Sequence, residues 1–141
     1  MTIDDYDAVV ELWSRAEGVG LNESDTQPAI ASFLQRNCGL SLVVEQGGRI
    51  VGAVLCGHDG RRGYLHHLAV DTDSRGCGIG RALVEKCLAS LASLGISKAN
   101  IFVFADNDAG QRFWRHNAWK GRTDLLVMQR VLTPGAKACG C

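Results

Sequence analysis

Several features are missing from this chain of 141 residues, and their absence narrows the functions it can have. Fifteen basic and fifteen acidic residues leave no net charge, so no overall field draws nucleic acid or an anionic membrane to it. No apolar run approaches the roughly 20 residues of a membrane span, and no signal peptide precedes the first predicted helix. We also find no internal repeat and no domain linker. We therefore expect one domain that has neither a nucleic-acid nor a membrane partner.

The six cysteines include no Cys-x-x-Cys pair, which argues against a dithiol redox motif or a zinc ribbon. Cys56 and Cys87 fall in apolar patterns, which favours buried free thiols and a reducing, cytoplasmic compartment. The tail sequence Cys139-Gly-Cys141 could bind a metal or oxidise, but no histidine lies near it. We expect no metal site.

Apolar spacing and turn residues predict the elements of the first half of the chain. Val9, Leu12, Trp13 and Ala16 recur at helical spacing behind an N-cap formed by Thr2 and Asp5. A polar loop precedes a second helix, and two apolar strands joined at Gly47-Gly48 form a predicted hairpin. The ranges are 18–27 for the loop, 28–37 for the helix, 40–45 and 50–56 for the two strands, and 64–70 for the strand after them.

The second half begins with a long helix from Ile79, whose apolar face is marked by Leu83, Cys87, Leu91 and Leu94. Gly95 suits its C-terminal cap. A short strand over 101–104, a helix over 108–117 and a last strand over Leu125–Leu132 follow. The order predicts an α+β fold in which helices flank one mixed sheet. We place the domain at 1–132 and a flexible tail at 133–141.

The most informative stretch joins a strand to a helix through glycines. The strand Tyr64–Val70 ends in the polar turn 71–74, and Arg75-Gly-Cys-Gly-Ile-Gly80 then leads into the helix. Glycines let the backbone approach an anion, and the first amides of a helix carry partial positive charge. A dinucleotide fingerprint would need glycine in place of Arg81, and a nucleoside triphosphate loop would need Gly-Lys-Ser/Thr. The sequence therefore predicts a phosphate site of another kind.

The pattern that does match is Arg75-x-x-Gly78-x-Gly80, and here the chain resembles the GCN5-related N-acetyltransferase (GNAT) superfamily. A second motif runs from Asn107 to Trp119 and resembles the family pattern Asn-x-x-Ala-x-x-Phe/Leu-Tyr, ending in Gly-Phe. Asn107 and Phe113 match that pattern. The chain departs from it at Gly110 (alanine in the family), at Trp114 (tyrosine) and at Ala118-Trp119. The compact length and the turn Gly57-His-Asp-Gly60 resemble those of a small bacterial subgroup of acetyltransferases.

The resemblance implies an acetyl-coenzyme A (acetyl-CoA) site and transfer of the acetyl group to an amine by direct attack. A bulge near 68–70 would splay the sheet, so that main-chain groups of Leu68 and Val70 pair with the pantetheine arm. Residues of the loop would hold the pyrophosphate, and Asn107 would bind pantetheine, cap its helix, or do both. The cofactor-binding residues implied in and around the loop are Arg75, Gly76, Cys77, Gly78, Ile79, Gly80 and Arg81.

Amine acetylation needs a base, and histidine suits this role because its ordinary pKa lies near 6.5. By strand alternation His66 and His67 point to opposite faces, with residues 64, 66, 68 and 70 on one side. The strand resembles that of serotonin N-acetyltransferase, which favours His66 as the base, with His67 as the second candidate. A glutamate on a neighbouring strand serves in other relatives, so Glu45 stays open.

Two further consequences follow from the resemblance. Trp114 cannot protonate a thiolate as the family tyrosine does, so the alternative function is an acyl-CoA-binding sensor without turnover. The first strand usual in the family is missing or shortened here, as it would be if the chain began at an internal methionine. The strand 40–45 is then left with an open edge, at which a homodimer could form. The acceptor amine, on a small molecule or a protein, is not specified by the sequence.

Overall fold

A computed structural model describes residues 1–134. Four strands form one sheet in the order β1-β2-β3-β4; the first three are antiparallel and β4 runs parallel to β3. This is the predicted mixed, mostly antiparallel sheet flanked by helices. The elements are α1 (Tyr6–Arg15), α2 (Gln27–Arg36), β1 (Leu42–Gln46), β2 (Arg49–His58), β3 (Gly63–Val70), α3 (Ile79–Ser93), β4 (Ala99–Ile101) and α4 (Asp108–His116).

Local signals in the sequence account for most of these boundaries. The Asp5 carboxylate accepts a hydrogen bond of 2.8 Å from the Thr2 amide, as expected of a capping pair. Gly47 and Gly48 both have positive φ, +57° and +76°, which the tight turn between β1 and β2 requires. The predicted hairpin is confirmed.

Two apolar layers cover the two faces of the sheet. On one face α3 buries Leu83, Val84, Cys87 and Leu91 against β2 and β3. On the other face α1 buries Val9, Leu12 and Trp13, joined by Ile30 of α2. The layer on α1 also receives side chains from β2 and β3, namely Ala53, Leu55 and Ala69.

Several predicted features at the ends of elements are wrong. Leu94 is 56 % exposed because α3 ends at Ser93, and Gly95, with φ of +81°, turns the chain so that Ile96 is buried instead. The strand predicted at 101–104 lies at Ala99–Ile101, where it pairs with Gly63–Leu65. Beyond Leu65 the two strands no longer pair, so residues 102–104 have no strand partner within residues 1–134.

The last predicted strand, Leu125–Leu132, is also wrong. No strand occurs over residues 120–134, and no backbone hydrogen bond joins these residues to another described residue. Its apolar side chains are 59–91 % exposed. The composition favours a strand, but a strand needs a neighbour to bond to. Of the predicted tail 133–141, residues 135–141, including Cys139 and Cys141, lie outside the described part of the chain.

In the described residues no strand precedes α1, and β1 lies at one edge of the sheet, as expected. The amino group of Met1 donates to the Ser41 carbonyl just before β1. Cys56 and Cys87 are buried free thiols, also as expected. The hydrogen bond to Cys56, and then burial, raises the pKa of the Cys87 thiol, so that thiol stays neutral.

Candidate active site

A bulge in β3 shapes the centre of the candidate site. Ala53 of β2 faces Ala69, but Leu55 faces His66, so His67 and Leu68 together oppose the single residue Val54. His67 has φ of +53°, the left-handed conformation that such an extra residue often takes. On its other side β3 pairs with β4 only from Gly63 to Leu65. The sheet therefore opens between β3 and β4 just where the bulge begins, one residue earlier than the sequence suggests.

The bulge overturns the expected alternation of side chains. His66 and His67 both contact the layer of α1 and α2: the His66 ring lies 6.3 Å from the Phe33 ring, and the His67 ring 5.0 Å from the Trp13 ring. Leu68 packs instead against the core on the α3 side. Residues 64, 66, 68 and 70 therefore do not share a face, because the extra residue shifts the period of two by one position.

His67 is held by a buried carboxylate that the sequence did not single out. Its Nε2 lies 2.9 Å from Oδ1 of Asp25, whose side chain is only 7 % exposed. The second oxygen of Asp25 accepts a hydrogen bond from the Asn22 amide, which closes the short turn Glu23–Asp25. Asp25 thus joins the loop before α2 to β3.

His66 borders a cavity of about 210 Å³ on the same face of the sheet. Phe33 and Tyr64 are its aromatic walls, and Arg36 and Asp59 bring charge to it. Burial, and then the neighbouring His67, lowers the pKa of His66 below its ordinary value. The ring is therefore neutral at pH 7 and can accept a proton. No hydrogen bond ties His66 to another described residue, in contrast to His67.

The glycine-rich loop presents free backbone donors. Gly76 and Gly78 have φ of +82° and +80°, and a Cβ at either would meet no protein atom within 4 Å. Within residues 1–134 no acceptor is bonded to the amides of residues 76–81, and the first backbone bond of α3 runs from Ala82 to Gly78. Such a run of outward amides at the start of a fifteen-residue helix suits an anion. The sequence predicted glycines that lead into this helix, and the structure has them there; phosphate binding stays a prediction.

The side chains around the loop have separate tasks. Arg75 donates from Nε to the Val70 carbonyl at 3.2 Å, so this carbonyl already has a partner. Ile79 is half-buried against the core on α3, while Cys77 and Arg81 are exposed. A Cβ on Gly80 would lie 3.4 Å from the Phe113 ring, which places α4 close behind the loop. Leu12, Ala16 and Asp71 help to line a small cavity, about 70 Å³, next to Arg75.

Asn107 caps α4: its Oδ1 accepts from the Gly110 amide at 2.9 Å. A Cβ on Gly110 would lie 2.8 Å from Cγ of Asn107, so the glycine at this position lets the cap form as it does. A Cβ on Gly18 would also overlap the Asn107 amide. The loop after α1 therefore touches the start of α4 beside the opening between β3 and β4.

Trp114 and Glu45, the two remaining candidates, differ in their packing. Trp114 packs between Phe113 and Trp119 at ring distances of 5.1 and 5.0 Å, which is core packing. Glu45 is exposed near the end of β1, at the outer edge of the sheet. Among residues 1–134 no group of three metal-ligating side chains comes together. None of the helices described combines the length and the apolarity that a bilayer crossing requires.

A sheet opened at a bulge, with a loop of unbonded amides at the start of the next helix, is typical of group-transfer proteins that hold a phosphorylated carrier. The model of the acetyltransferase (GNAT) family matches residues 6–118, and the chain belongs to that family. Acetyltransferase SG1711 of Sodalis glossinidius is 37 % identical over 129 residues, 92 % of this chain and 90 % of the relative. The family match and this bacterial relative place the protein among the acetyltransferases.

Solved structures share the fold. Ard1 of Thermoplasma volcanium superposes with a TM-score of 0.72 at 20 % identity, over 82 % of this chain and 76 % of that one. PaiA N-acetyltransferase of Thermoplasma acidophilum, in complex with coenzyme A, gives a TM-score of 0.70 at 16 % identity, over 83 % and 84 %. The likeness to both extends over most of the described sheet and helices.

Proposed function

We propose that the protein transfers the acetyl group of acetyl-CoA to an amine, by direct attack while both substrates are bound. The observation that carries this proposal is the run of unbonded amides at residues 76–81, placed beside the opening between β3 and β4. Bound acetyl-CoA would supply an acetyl thioester, which is already activated for attack by an amine.

The loop fits a diphosphate because its donors are main-chain amides and its glycines leave open space in front of them. Gly76, Cys77, Gly78, Ile79, Gly80 and Arg81 would contribute these amides. Arg81, exposed at the start of α3, would add positive charge. Arg75 is engaged with the Val70 carbonyl, so its first task is to fix the loop against β3.

The pantetheine arm would enter the opening between β3 and β4. In this proposal the main chain of Leu68, beyond the last pair with β4, and Asn107, at the start of α4, would line the two sides of the opening. The amide of a residue at the bulge would polarise the thioester carbonyl. Val70 would contribute its amide, while its carbonyl accepts a hydrogen bond from Arg75.

His66 is the proposed base. An ammonium has no lone pair with which to attack, so the amine must lose a proton first. The lowered pKa of His66 keeps its ring neutral, and it borders the cavity on the face of α2, where the acceptor would bind. His67 is not the proposed base, because its Nε2 already contacts Asp25. Its role would be to hold the bulge in place.

At the position of the family tyrosine stands Trp114, which packs against Trp119, and an indole cannot protonate the leaving thiolate. A thiol pKa near 8.5 makes this tolerable at neutral pH, and the missing acid costs about 10²- to 10⁴-fold in rate. The same feature favours a second candidate function, an acyl-CoA-binding sensor that does not turn over.

Thiol release from acetyl-CoA, followed over a panel of small amines and peptides, separates the two functions. The proposal predicts release that depends on an amine and falls steeply in His66→Gln. Acetyl-CoA binding without amine-dependent release from any acceptor would select the sensor. Absence of both binding and release would contradict both functions.

A further inference from the structure

The cavity beside His66 has aromatic walls next to the proposed base. The His66 ring lies 6.3 Å from the ring of Phe33 and 6.1 Å from that of Tyr64, and both of these residues line the cavity. The Phe102 ring, also 6.1 Å from the His66 ring, is a third aromatic neighbour. At about 210 Å³ the cavity is smaller than the roughly 300–1,000 Å³ of sites for drug-sized ligands. Its size and its walls therefore suit a molecule with a single flat ring.

The other end of the cavity is formed where α2 ends beside the end of β2. Oδ1 of Asn37, just after α2, accepts from the His58 amide at 3.1 Å and so fixes the helix end to the strand. His58 pairs with Gly63, three residues before His66 in β3. At about 3.4 Å per residue, these three steps place the His58 end roughly 10 Å from His66 along the strand. The cavity is therefore elongated, and Tyr64 lies between its two ends.

The His58 end presents hydrogen-bond donors. Arg36 lines the cavity and is exposed, and none of the ion pairs among residues 1–134 involves it. Nδ1 of His58 accepts from the Gly60 amide at 3.0 Å, so a neutral His58 ring carries its proton on Nε2. A guanidinium and an imidazole N–H at one end of a cavity suit a carboxylate.

Asp59 also lines this end, but its carboxylate is engaged within its own turn. Its Oδ1 accepts from the amides of Arg61 and Arg62 at 2.8 Å each. The side chains of these two arginines bring further positive charge to the same turn. Together with Arg36, three cationic residues and one anionic residue surround this end, so the balance favours an anion over a second cation.

We propose that the acceptor is a primary amine with a flat apolar body and a carboxylate on the far side of that body, as in para-(aminomethyl)benzoate. The amine would donate to His66, and the body would lie against Phe33 and Tyr64. The carboxylate would accept from Arg36 and His58. The inference rests on the proposed function, because it names the acceptor of the acetyl group.

The separation of the two ends excludes other amines of similar size. An α-amino acid carries its amine and carboxylate on one carbon, so it cannot reach both ends at once. A diamine or a lysine side chain would bring a second cation to Arg36, or none of the charge that Arg36 requires. In the transfer itself the N–C bond forms, the C–S bond of the thioester breaks, His66 takes a proton of the amine, and the sulfur leaves with the electron pair.

Three amines of one shape test the proposal: para-(aminomethyl)benzoate, its neutral amide and the dication para-xylylenediamine. Titration of the ¹⁵N-labelled full chain, with and without coenzyme A, measures binding separately from turnover. The benzoate should bind about tenfold more tightly than the amide, as one charge-assisted contact allows, and the diamine should bind most weakly. The amides of Gly57, His58 and Tyr64 should shift.

Arg36→Gln should make the benzoate and the amide bind equally. Arg112→Gln, an exposed arginine of α4 that does not line the cavity, is the matched control and should keep the preference. Equal binding of the three amines by wild type, tighter binding of the diamine, or no binding of any of them would overturn the proposal. A preference that survives in Arg36→Gln would overturn it as well.

Thiol release from acetyl-CoA with the same amines distinguishes this inference from the proposed function. Release that depends on an amine but shows no preference for the benzoate would overturn the acceptor class and leave acetyl transfer standing. Binding that depends on the carboxylate and on Arg36, without thiol release, would support the ligand class and contradict acetyl transfer.

Discussion

At the scale of single residues, two adjacent histidines differ in what their rings can do. His67 is bonded to Asp25, whereas His66 is neutral and borders a cavity. The left-handed conformation of His67 places both on one face of the sheet. Neighbouring residues of a strand rarely share a face, and here the bulge is the reason.

His66→Gln should lower kcat/KM for amine acetylation by about 10²- to 10⁴-fold, the usual contribution of a general base. Because the pKa of His66 is lowered, wild type should keep its activity down to about pH 6.5 and lose it only as the pH falls further. The pH profile of the variant should lack this fall in activity at low pH. His116→Gln, at the exposed end of α4, is the control and should behave as wild type. An unchanged acid limb in His66→Gln would assign the base elsewhere.

Asp25→Ala should reduce the free energy of unfolding by about 1–3 kcal/mol, because the His67 ring and the Asn22 amide both lose a buried acceptor. Urea unfolding followed by circular dichroism measures this. Glu23→Ala, an exposed acid in the same turn, should stay within about 0.5 kcal/mol of wild type. Equal effects of the two substitutions would mean that the Asp25 pair contributes nothing to stability.

At the scale of elements, the sequence correctly predicted the turns, helices and caps that depend on residues close together in the chain. The hairpin at Gly47-Gly48, the long helix from Ile79 and the cap at Asn107 each depend on a few neighbouring residues, and the structure confirms them. The burial of Asp25 against β3 was missed, since it joins residues 42 positions apart. The sequence placed Leu68 on the wrong face of the sheet, because the one extra residue in the bulge shifts the alternation of side chains that follow it. The strand at 125–132 was wrong because composition does not supply a pairing partner.

The loop before α3 allows a test with a matched pair of glycines. Gly78 and Gly95 have φ of +80° and +81°, and a Cβ at either would meet no neighbouring atom. Alanine at either position should therefore cost about 1 kcal/mol of stability, from backbone strain alone. Only Gly78→Ala should weaken acetyl-CoA binding, by about tenfold or more, because its Cβ would enter the space before the free amides. Equal binding by the two variants, measured by calorimetry, would place the coenzyme elsewhere.

At the scale of the whole molecule, one sheet separates the two proposed binding regions. The face of α3 carries the glycine-rich loop at the start of that helix, and the face of α1 and α2 carries His66 and its cavity. The opening between β3 and β4 connects the two faces. Two substrates can thus meet from opposite sides, which suits direct transfer without a covalent enzyme intermediate. Cys77 is an exposed free thiol of the glycine-rich loop, and we do not propose it as a nucleophile.

The central claim is that the amides of residues 76–81 hold the diphosphate of acetyl-CoA. Titration of the ¹⁵N-labelled protein with acetyl-CoA, followed by amide chemical shifts, tests it most directly. The account predicts that the largest shifts fall on these six amides, with smaller shifts at the bulge around Leu68. Saturable binding that leaves residues 76–81 unmoved, or no binding at millimolar acetyl-CoA, would contradict it.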